Sequence, residues 1–524
     1  MIRSNRRNAR ALVGASFEVG LIVLLCYLYA GSPPPGKNEA HYLGKAKQYW
    51  QPEWCAGDFF FESGDAHEVF YWTFGWVTKH LSLPATAWLG RLITWFLFAY
   101  AWRLFVTKLT NTRWAALLSF GMLVPLVHYG HLAGEWLIGG IEAKGFAYPL
   151  VFIAMAKAIE GRWWIVWPLL GLASTFHVLV GGWAVAAHLI AWWLRREEDN
   201  LQWTDLLPWL VLGGLFALPG LLPAVGLKGD ATAAEVSEAN RTYAFRRLSH
   251  HLIFYRFAFF RIACFAATCG AWWYSTKLWT PTDRMRKLNA IVIGSLAIAA
   301  AGFCLDIALA PFNSLRAGVL RYYWFRLSDI MVPVGIAVGV VASLDLRLAK
   351  HRKWMLVFVL VAAVGFGFAM QSEGFAVRST SLRQQSWLKL LENVPPEEVD
   401  DAWREICEWI RTSPDVPRDC LFLTPTYQQT FKWYAQRPDL VTWKDIPQDA
   451  KGINAWWKRR VEVYLLGSWP WENPDEMANL TREYGVTHVV WPRSKELAEQ
   501  FPIPGDVEKL YHNDRFSVYA LPND

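Results

Sequence analysis

Near the start of the connection after the first apolar run lies a carboxylate that could act as a general base. Glu39 follows Lys37 and Asn38 and precedes His41 and Tyr42. A carboxylate held at a membrane surface is costly unless it has a task or a partner. This arrangement predicts an active site at the outer membrane face, with His41 as a substrate contact. The alternative is a local role, because a carboxylate in a first helical turn behind an Asn cap favours the helix dipole.

Further carboxylates lie in the same connection and at the start of a later apolar run. Asp58, Asp65 and Glu68 are alternative bases or substrate contacts. They could also bind a divalent metal, but such a site needs several convergent oxygens and the spacing fixes no such geometry. Glu142 and Lys144 flank the later run, where ionisable groups indicate function, although an ion pair between them would explain both.

Several arginines lie in connections predicted on the outer side of the membrane, where basic residues are not needed to set the orientation of the chain. Arg247 comes just before His250 and His251, and Arg321 and Arg326 lie in another connection. Guanidinium groups bind phosphate through two parallel hydrogen bonds, so these residues are candidate anion contacts. Interface anchoring is the alternative for a single arginine. Arg91, at the end of a span, is a further candidate.

Long apolar runs are the elements that must position these residues. The chain has 524 residues, 54% of them hydrophobic and only 19% charged, with 32 Trp. Apolar runs of roughly 17–25 residues are candidate membrane spans. The sequence predicts eleven, near 11–30, 86–107, 114–131, 143–159, 163–177, 178–195, 205–226, 253–274, 289–309, 327–345 and 354–371.

Basic residues between the runs predict the orientation. With a cytoplasmic N-terminus, every inner loop carries Lys or Arg, as membrane proteins require. The net charge of +7 therefore does not imply nucleic acid. Eleven spans place the C-terminal part outside the cytoplasm. We predict a transmembrane domain over 1–371 with a first outer loop at 31–85, a connector at 372–398, and an extracytoplasmic α/β domain over 399–524.

The pattern around the first outer loop resembles the GT-C glycosyltransferases. The residues are Asn38-Glu39-Ala40-His41-Tyr42-Leu43, then Ala66-His67-Glu68-Val69-Phe70-Tyr71-Trp72, and Ala87-Trp88-Leu89-Gly90-Arg91-Leu92 before a span. The likeness is to the protein mannosyltransferase branch and covers about the first 160 residues. Glu39 stands where the family commonly has Asp or Asp-Glu, and Glu68-Val69 replaces a Pro-Pro pair.

Other segments resemble an uncharacterised family of bacterial membrane proteins. They are Gly139-Gly140-Ile141-Glu142-Ala143-Lys144, Arg247 to Leu252, and Phe431 to Arg437. No activity carries over from that family.

The GT-C resemblance implies a reaction and a donor. The donor would be a sugar on polyprenyl phosphate or pyrophosphate, used at the outer face of the cytoplasmic membrane. Glu39 would deprotonate the acceptor hydroxyl while the phosphate leaves, with inversion at the sugar. Two alternatives stay open: a transporter or flippase of a lipid-linked or anionic solute, and a scaffold that keeps the fold without activity. Charges at the outer ends of spans, and no repeat, disfavour the transporter.

Overall fold

Long apolar helices dominate the computed structural model, which describes residues 2–278, 281–347, 357, 359, 361–367 and 396–522. Within these residues, six helices are long and apolar enough to cross a membrane, and two shorter apolar helices accompany them. The protein is therefore a multi-pass membrane protein. The bundle helices are α1 (Ile2–Ala30), α4 (Leu83–Val106), α5 (Ala115–Gly130), α6 (Lys144–Ile159), α7 (Trp163–Phe176), α8 (Val178–Arg195), α9 (Trp203–Gly226), α12 (Phe259–Leu278), α13 (Asp283–Ala308) and α15 (Arg326–Arg347).

The sequence predicts these helices well. Ten of the eleven predicted spans correspond to a bundle helix, because each apolar run is long enough to form one. The eleventh, at 354–371, falls largely outside the described residues, as does most of the predicted connector at 372–398.

Short helices fill the connections at one end of the bundle. The first outer loop contains α2 (Glu39–Trp50), α3 (Glu68–Thr73) and a 3-10 turn at Gly75–Lys79. The connection after α9 contains α10 (Ala233–Arg241), a π-helical turn at Thr242–Arg247, α11 (Ser249–Leu252) and a 3-10 turn at Phe254–Arg256. The connection after α13 contains α14 (Asn313–Leu320). Because successive helices alternate in direction, all these connections share one end.

Small residues let some bundle helices approach closely. A Cβ added to Gly171 of α7 would lie 2.0 Å from the carbonyl oxygen of Gly213 in α9. Close backbone packing of this kind is typical of membrane helices, where apolar burial does not drive association. These contacts hold the bundle, and large buried side chains such as Trp95, Trp102 and Trp167 fill its core.

A small α/β domain follows the bundle. Its helices are α16 (Pro396–Thr412), α17 (Phe431–Ala435), α18 (Ala450–Leu465), α19 (Pro474–Tyr484) and α20 (Lys495–Gln500). Its strands are β1 (Leu421–Leu423), β2 (Val486–Pro492), β3 (Glu508–His512) and β4 (Phe516–Ala520), in the order β1-β2-β4-β3. The β1–β2 pair is parallel and the other two pairs are antiparallel. This domain packs against the end of the bundle that carries the first outer loop.

Candidate active site at one end of the bundle

Glu39 and Arg91 form a buried ion pair between α2 and α4. Arg91 Nε lies 2.6 Å from Glu39 Oε1, and its second nitrogen lies 2.5 Å from Oε2. Backbone N–H groups of Gly36 and Ile141 also donate to the carboxylate, at 2.5 and 3.0 Å. Glu39 is 0% exposed and Arg91 1% exposed. Four donors therefore surround Glu39, whose predicted role as the base stays a prediction.

A glycine in the connection between α5 and α6 makes this contact possible. A Cβ at Gly140 would lie 2.7 Å from the Glu39 carboxylate, so only glycine permits the loop backbone to approach it. The approach brings the Ile141 amide to Glu39 and places the next residue, Glu142, beside Asn38. The Gly139-Gly140 pair thus positions both carboxylates.

Glu142 is buried with one oxygen free of hydrogen bonds. Its Oε2 accepts from Asn38 Nδ2 at 2.9 Å. Its Oε1 lies 3.2 Å from Lys144 Nζ, but the contact lacks hydrogen-bond geometry. Only 3% of Glu142 is exposed. The predicted ion pair with Lys144 is present, and Oε1 can still accept a proton or a hydrogen bond.

Further ionisable groups extend this cluster. Lys144 Nζ donates to Glu135 Oε1 at 2.9 Å, and Arg326 Nε lies 3.2 Å from Glu135 Oε2. Asp329 accepts three backbone N–H groups from residues 132–135, which fixes the loop that carries Glu135. Lys144 and Arg326 are thus held in one network by a shared carboxylate.

Two adjoining cavities open beside this network. One, of about 10 Å³, is lined by Glu142, Lys144, Trp136 and Tyr148 among others. The other, also of about 10 Å³, is lined by Tyr148, His177, Tyr323 and Arg326 among others. Tyr148 lines both, so the two cavities flank one side chain.

Tyr42 and His67 of the first outer loop face the same region. Burial raises the pKa of the Tyr42 hydroxyl well above its ordinary value, and the charges of Glu142 and Asp65 raise it further. Burial lowers the pKa of His67, whose ring centroid lies 5.4 Å from that of His177. Tyr42 is therefore a neutral hydroxyl and His67 a neutral imidazole beside the network.

Arg247 connects the bundle to the C-terminal domain. Its Nε donates to the carbonyl oxygen of Trp443 at 2.9 Å, and its guanidinium lies 4.9 Å from that indole ring. His251 Nδ1 contacts the carbonyl oxygen of Ala133 at 2.6 Å. Burial, with the charge of Arg326, lowers the pKa of His251 to about 2. His251 is therefore neutral, and the predicted cationic contribution there comes from Arg247.

A buried lysine cluster docks the C-terminal domain on the first outer loop. Lys432 Nζ lies 3.2 Å from Asp58, 3.4 Å from Asp439 and 2.8 Å from Asp445. His41 Nδ1 lies 3.3 Å from Asp445. Burial raises the pKa of Asp439 to about 7, and the positive charge of Lys432 opposes that shift. Asp58 and His41, predicted as substrate contacts, thus hold the two domains together.

The remaining predicted residues have other contacts. Asp65 contacts Lys45 at 3.3 Å and His67 at 3.4 Å, and Glu68 begins α3. Arg321 donates to Asn240 at 2.5 Å and lies over the Tyr243 ring. The His250 ring is tilted against the His251 ring, with the centroids 4.0 Å apart. Among the described residues, no group of three or more His, Cys, Asp or Glu is arranged to hold a metal ion.

A larger cavity lies at the opposite end of the bundle. It measures about 200 Å³, is lined by residues such as Asn111, Ser275, Asn289 and Ser343, and has no ionisable side chain in its lining. Acid–base chemistry requires groups that exchange protons. We therefore place the candidate site beside Glu142.

Sequence reasoning missed the C-terminal contributions to this region. Lys432, Trp443 and Lys444 lie more than 280 residues after Glu142 in the chain and follow no recognisable spacing. The one signal at hand was the Phe431–Arg437 segment, which holds Lys432. Contacts between distant segments of this kind leave no periodic pattern.

Comparisons with known proteins agree with this architecture. A family model described as a domain of unknown function (DUF6798) matches residues 401–463, within the C-terminal domain. No curated protein matches the sequence. ArnT from Cupriavidus metallidurans, in the apo state, is similar in structure with a TM-score of 0.50 and 13% identity, over 98% of each chain.

Two further solved structures are similar. ArnT from the same organism bound to undecaprenyl phosphate has a TM-score of 0.50 and 12% identity, again over 98% of each chain. The Archaeoglobus fulgidus oligosaccharyltransferase has a TM-score of 0.44 and 11% identity, over 91% of this chain and 69% of that one. The membrane bundle with its small C-terminal domain has a GT-C-like fold, which it shares with the two ArnT structures.

Proposed function

We propose that this protein transfers a sugar from a polyprenyl phosphate to an acceptor hydroxyl. The observation that carries the proposal is Glu142: a buried carboxylate with one oxygen free of hydrogen bonds, beside a cavity and a set of cations. A general base needs such an oxygen. Its neighbours Lys144 and Tyr42 suit a polar substrate.

The donor is proposed from chemistry and from the structural neighbour. The ArnT structure carries undecaprenyl phosphate, and this chain shares its fold at low identity. Arg247 supplies a guanidinium with only one nitrogen bonded within the described residues, to a carbonyl oxygen. Guanidinium groups suit phosphate, and the membrane bundle suits a polyprenyl chain.

Glu142 suits the role of base better than Glu39. Four hydrogen bonds occupy both oxygens of Glu39, so at least one would have to break before its carboxylate could accept a proton from an acceptor. Arg91 also fixes that carboxylate through two of its nitrogens. We therefore propose that Glu39 positions the loop of Gly140 and Glu142, and that Glu142 accepts the proton.

The proposed reaction is a single displacement. The acceptor oxygen bonds to the anomeric carbon as the bond from that carbon to the phosphate oxygen breaks. The hydroxyl proton passes to Glu142, and the phosphate leaves with the bonding electrons. Nearby cations stabilise the developing phosphate charge, and one displacement inverts the anomeric centre.

The proposed location is the outer face of the cytoplasmic membrane. Basic residues such as Lys108, Arg195, Arg196 and Arg284 lie at the end of the bundle away from the site. Basic loops favour the cytoplasmic side, which supports an outer location for the site and the C-terminal domain.

Lipid binding tests the donor class. Full-length protein in lipid nanodiscs is titrated with undecaprenyl phosphate and, as control, undecaprenol, and bound lipid is measured by mass spectrometry. We expect saturable binding of the phosphate alone. Equal binding of both lipids would contradict a phosphate site.

A further inference from the structure

Three cationic side chains meet between the bundle and the C-terminal domain. They are Arg247 from the connection after α9, and Lys444 and Arg460 from the C-terminal domain. The guanidinium groups of Arg247 and Arg460 lie 4.9 and 5.1 Å from the Trp443 ring, and Lys444 is the next residue in the chain. Burial, and then the charge of Arg247, lower the pKa of Lys444. Like charges at close range repel, so the cluster is unfavourable as it stands.

Carboxylates do not balance this cluster. Among the described residues, none of the three forms an ion pair with Asp or Glu. Arg247 is 8% exposed, and Arg460 lies 5.2 Å from the Tyr427 ring and has a buried Nε without a hydrogen bond. Buried charges are normally paired, so Arg247 lacks the anionic partner that its burial calls for.

The backbone of Lys444 is held in place by the two neighbouring residues in the chain. Trp443 N donates to Thr426 O at 2.5 Å, and Trp443 O accepts from Arg247. Asp445 is bound to Lys432 and His41 of the docking cluster. The backbone on both sides of Lys444 is therefore fixed, one side to the bundle and the other to the first outer loop. The Lys444 side chain itself makes no hydrogen bond or ion pair with the described residues.

We infer that Lys444 and Arg247 together bind a phosphate group, with Lys444 as the contribution of the C-terminal domain. The inference rests on the proposed function and identifies the phosphate as the headgroup of the lipid-linked donor. The negative charge of Glu142 favours the ammonium form of Lys444, which is the form that binds phosphate.

Substitution of Lys444 tests the inference in the full-length protein in nanodiscs. Lys444→Met should weaken undecaprenyl phosphate binding about 10- to 100-fold, the effect of one charged hydrogen bond. Lys444→Arg keeps the charge and should stay within about threefold of wild type. Lys495→Met removes an exposed lysine of the same domain and should change nothing. Unchanged affinity in Lys444→Met would overturn the inference.

The arms of the experiment separate the sources of failure. If wild type binds undecaprenyl phosphate and Lys444→Met binds it equally well, only the role of Lys444 fails. If wild type binds undecaprenyl phosphate no better than undecaprenol, both the role of Lys444 and the proposed function fail. If inorganic phosphate displaces the lipid at equal concentration, the ligand is a soluble phosphate and the headgroup assignment is wrong.

The pH dependence gives a second readout. Burial, and then the charges of Arg247 and Lys37, lower the pKa of Lys444 to about 8, against the opposing effects of Glu142 and Asp445. The ammonium form, which binds phosphate, is therefore lost as the pH rises from 7 to 9. Wild-type affinity relative to Lys444→Arg should fall over that range, and a constant ratio would contradict the assignment.

Discussion

Two nitrogens of Arg91 donate hydrogen bonds to the Glu39 carboxylate, and both side chains are buried. Breaking a buried ion pair leaves an uncompensated charge and costs about 3–5 kcal/mol. We expect Arg91→Ala to lower the free energy of unfolding by that amount, measured as a lower melting temperature in detergent. The exposed Arg482→Ala in the C-terminal domain is the control and should leave it unchanged.

A double substitution separates a structural role for Glu39 from a catalytic one. Replacing a buried ion pair with apolar groups is often neutral for stability. Glu39→Met combined with Arg91→Met should therefore recover much of the stability and part of the transfer activity lost in Arg91→Ala. A stable double variant without any activity would instead favour Glu39 as the base.

Removal of the Glu142 carboxylate should greatly reduce sugar transfer without weakening donor binding. Glu142→Gln is expected to reduce transfer about 10²- to 10⁴-fold, the usual contribution of a general base, with donor affinity retained. The control is Glu53→Gln, an exposed carboxylate of the first outer loop. Activity within threefold of wild type in Glu142→Gln would remove Glu142 from the reaction.

The interface between the C-terminal domain and the first outer loop should depend on pH. The folded-state pKa of Asp439 is raised to about 7, so its contribution to stability is complete below its unfolded value near 4 and is lost as the pH rises through 7. Lowering the pH from 8 to 5 should therefore slow proteolytic release of the domain. Asp439→Asn should lose this dependence, and an unaltered pH profile would contradict the assignment.

The lysine at the centre of that interface should be essential for docking. Lys432→Met leaves Asp58, Asp439 and Asp445 facing one another without their cation, which costs about 3–5 kcal/mol. We expect faster proteolysis at the domain boundary in this variant, with partial recovery at pH 5 as carboxylates become protonated. Equal protease resistance at pH 8 would show that the cluster does not hold the domain.

Local patterns explain why most of the fold could be predicted. An apolar run such as 205–226 fits only a buried or membrane helix, and α9 forms there. The segment 439–443 forms no named strand, and Asp439 makes an isolated bridge to Phe422. The helix Lys495–Gln500 was not predicted, since it is short and polar.

The candidate site was harder to predict because its contacts join distant segments. Glu142 and Lys144 could be predicted as candidate site residues, because charges beside a span are costly. The partner of Glu39 could not be derived, although Arg91 was itself a candidate, because pairing depends on the packing of α2 against α4. The unbalanced charge at Lys444 follows only from the docking of the C-terminal domain.

The central claim is tested most directly by measuring the lipid-linked sugars in cells that carry the natural gene. Polyprenyl-phosphate-linked sugars are extracted from cells with the wild-type gene and with Glu142→Gln at the same locus, and quantified by mass spectrometry. The proposal predicts that one lipid-linked sugar accumulates in the variant while its glycosylated acceptor disappears, with equal protein levels. Identical lipid-linked sugars and glycans in both strains would contradict it.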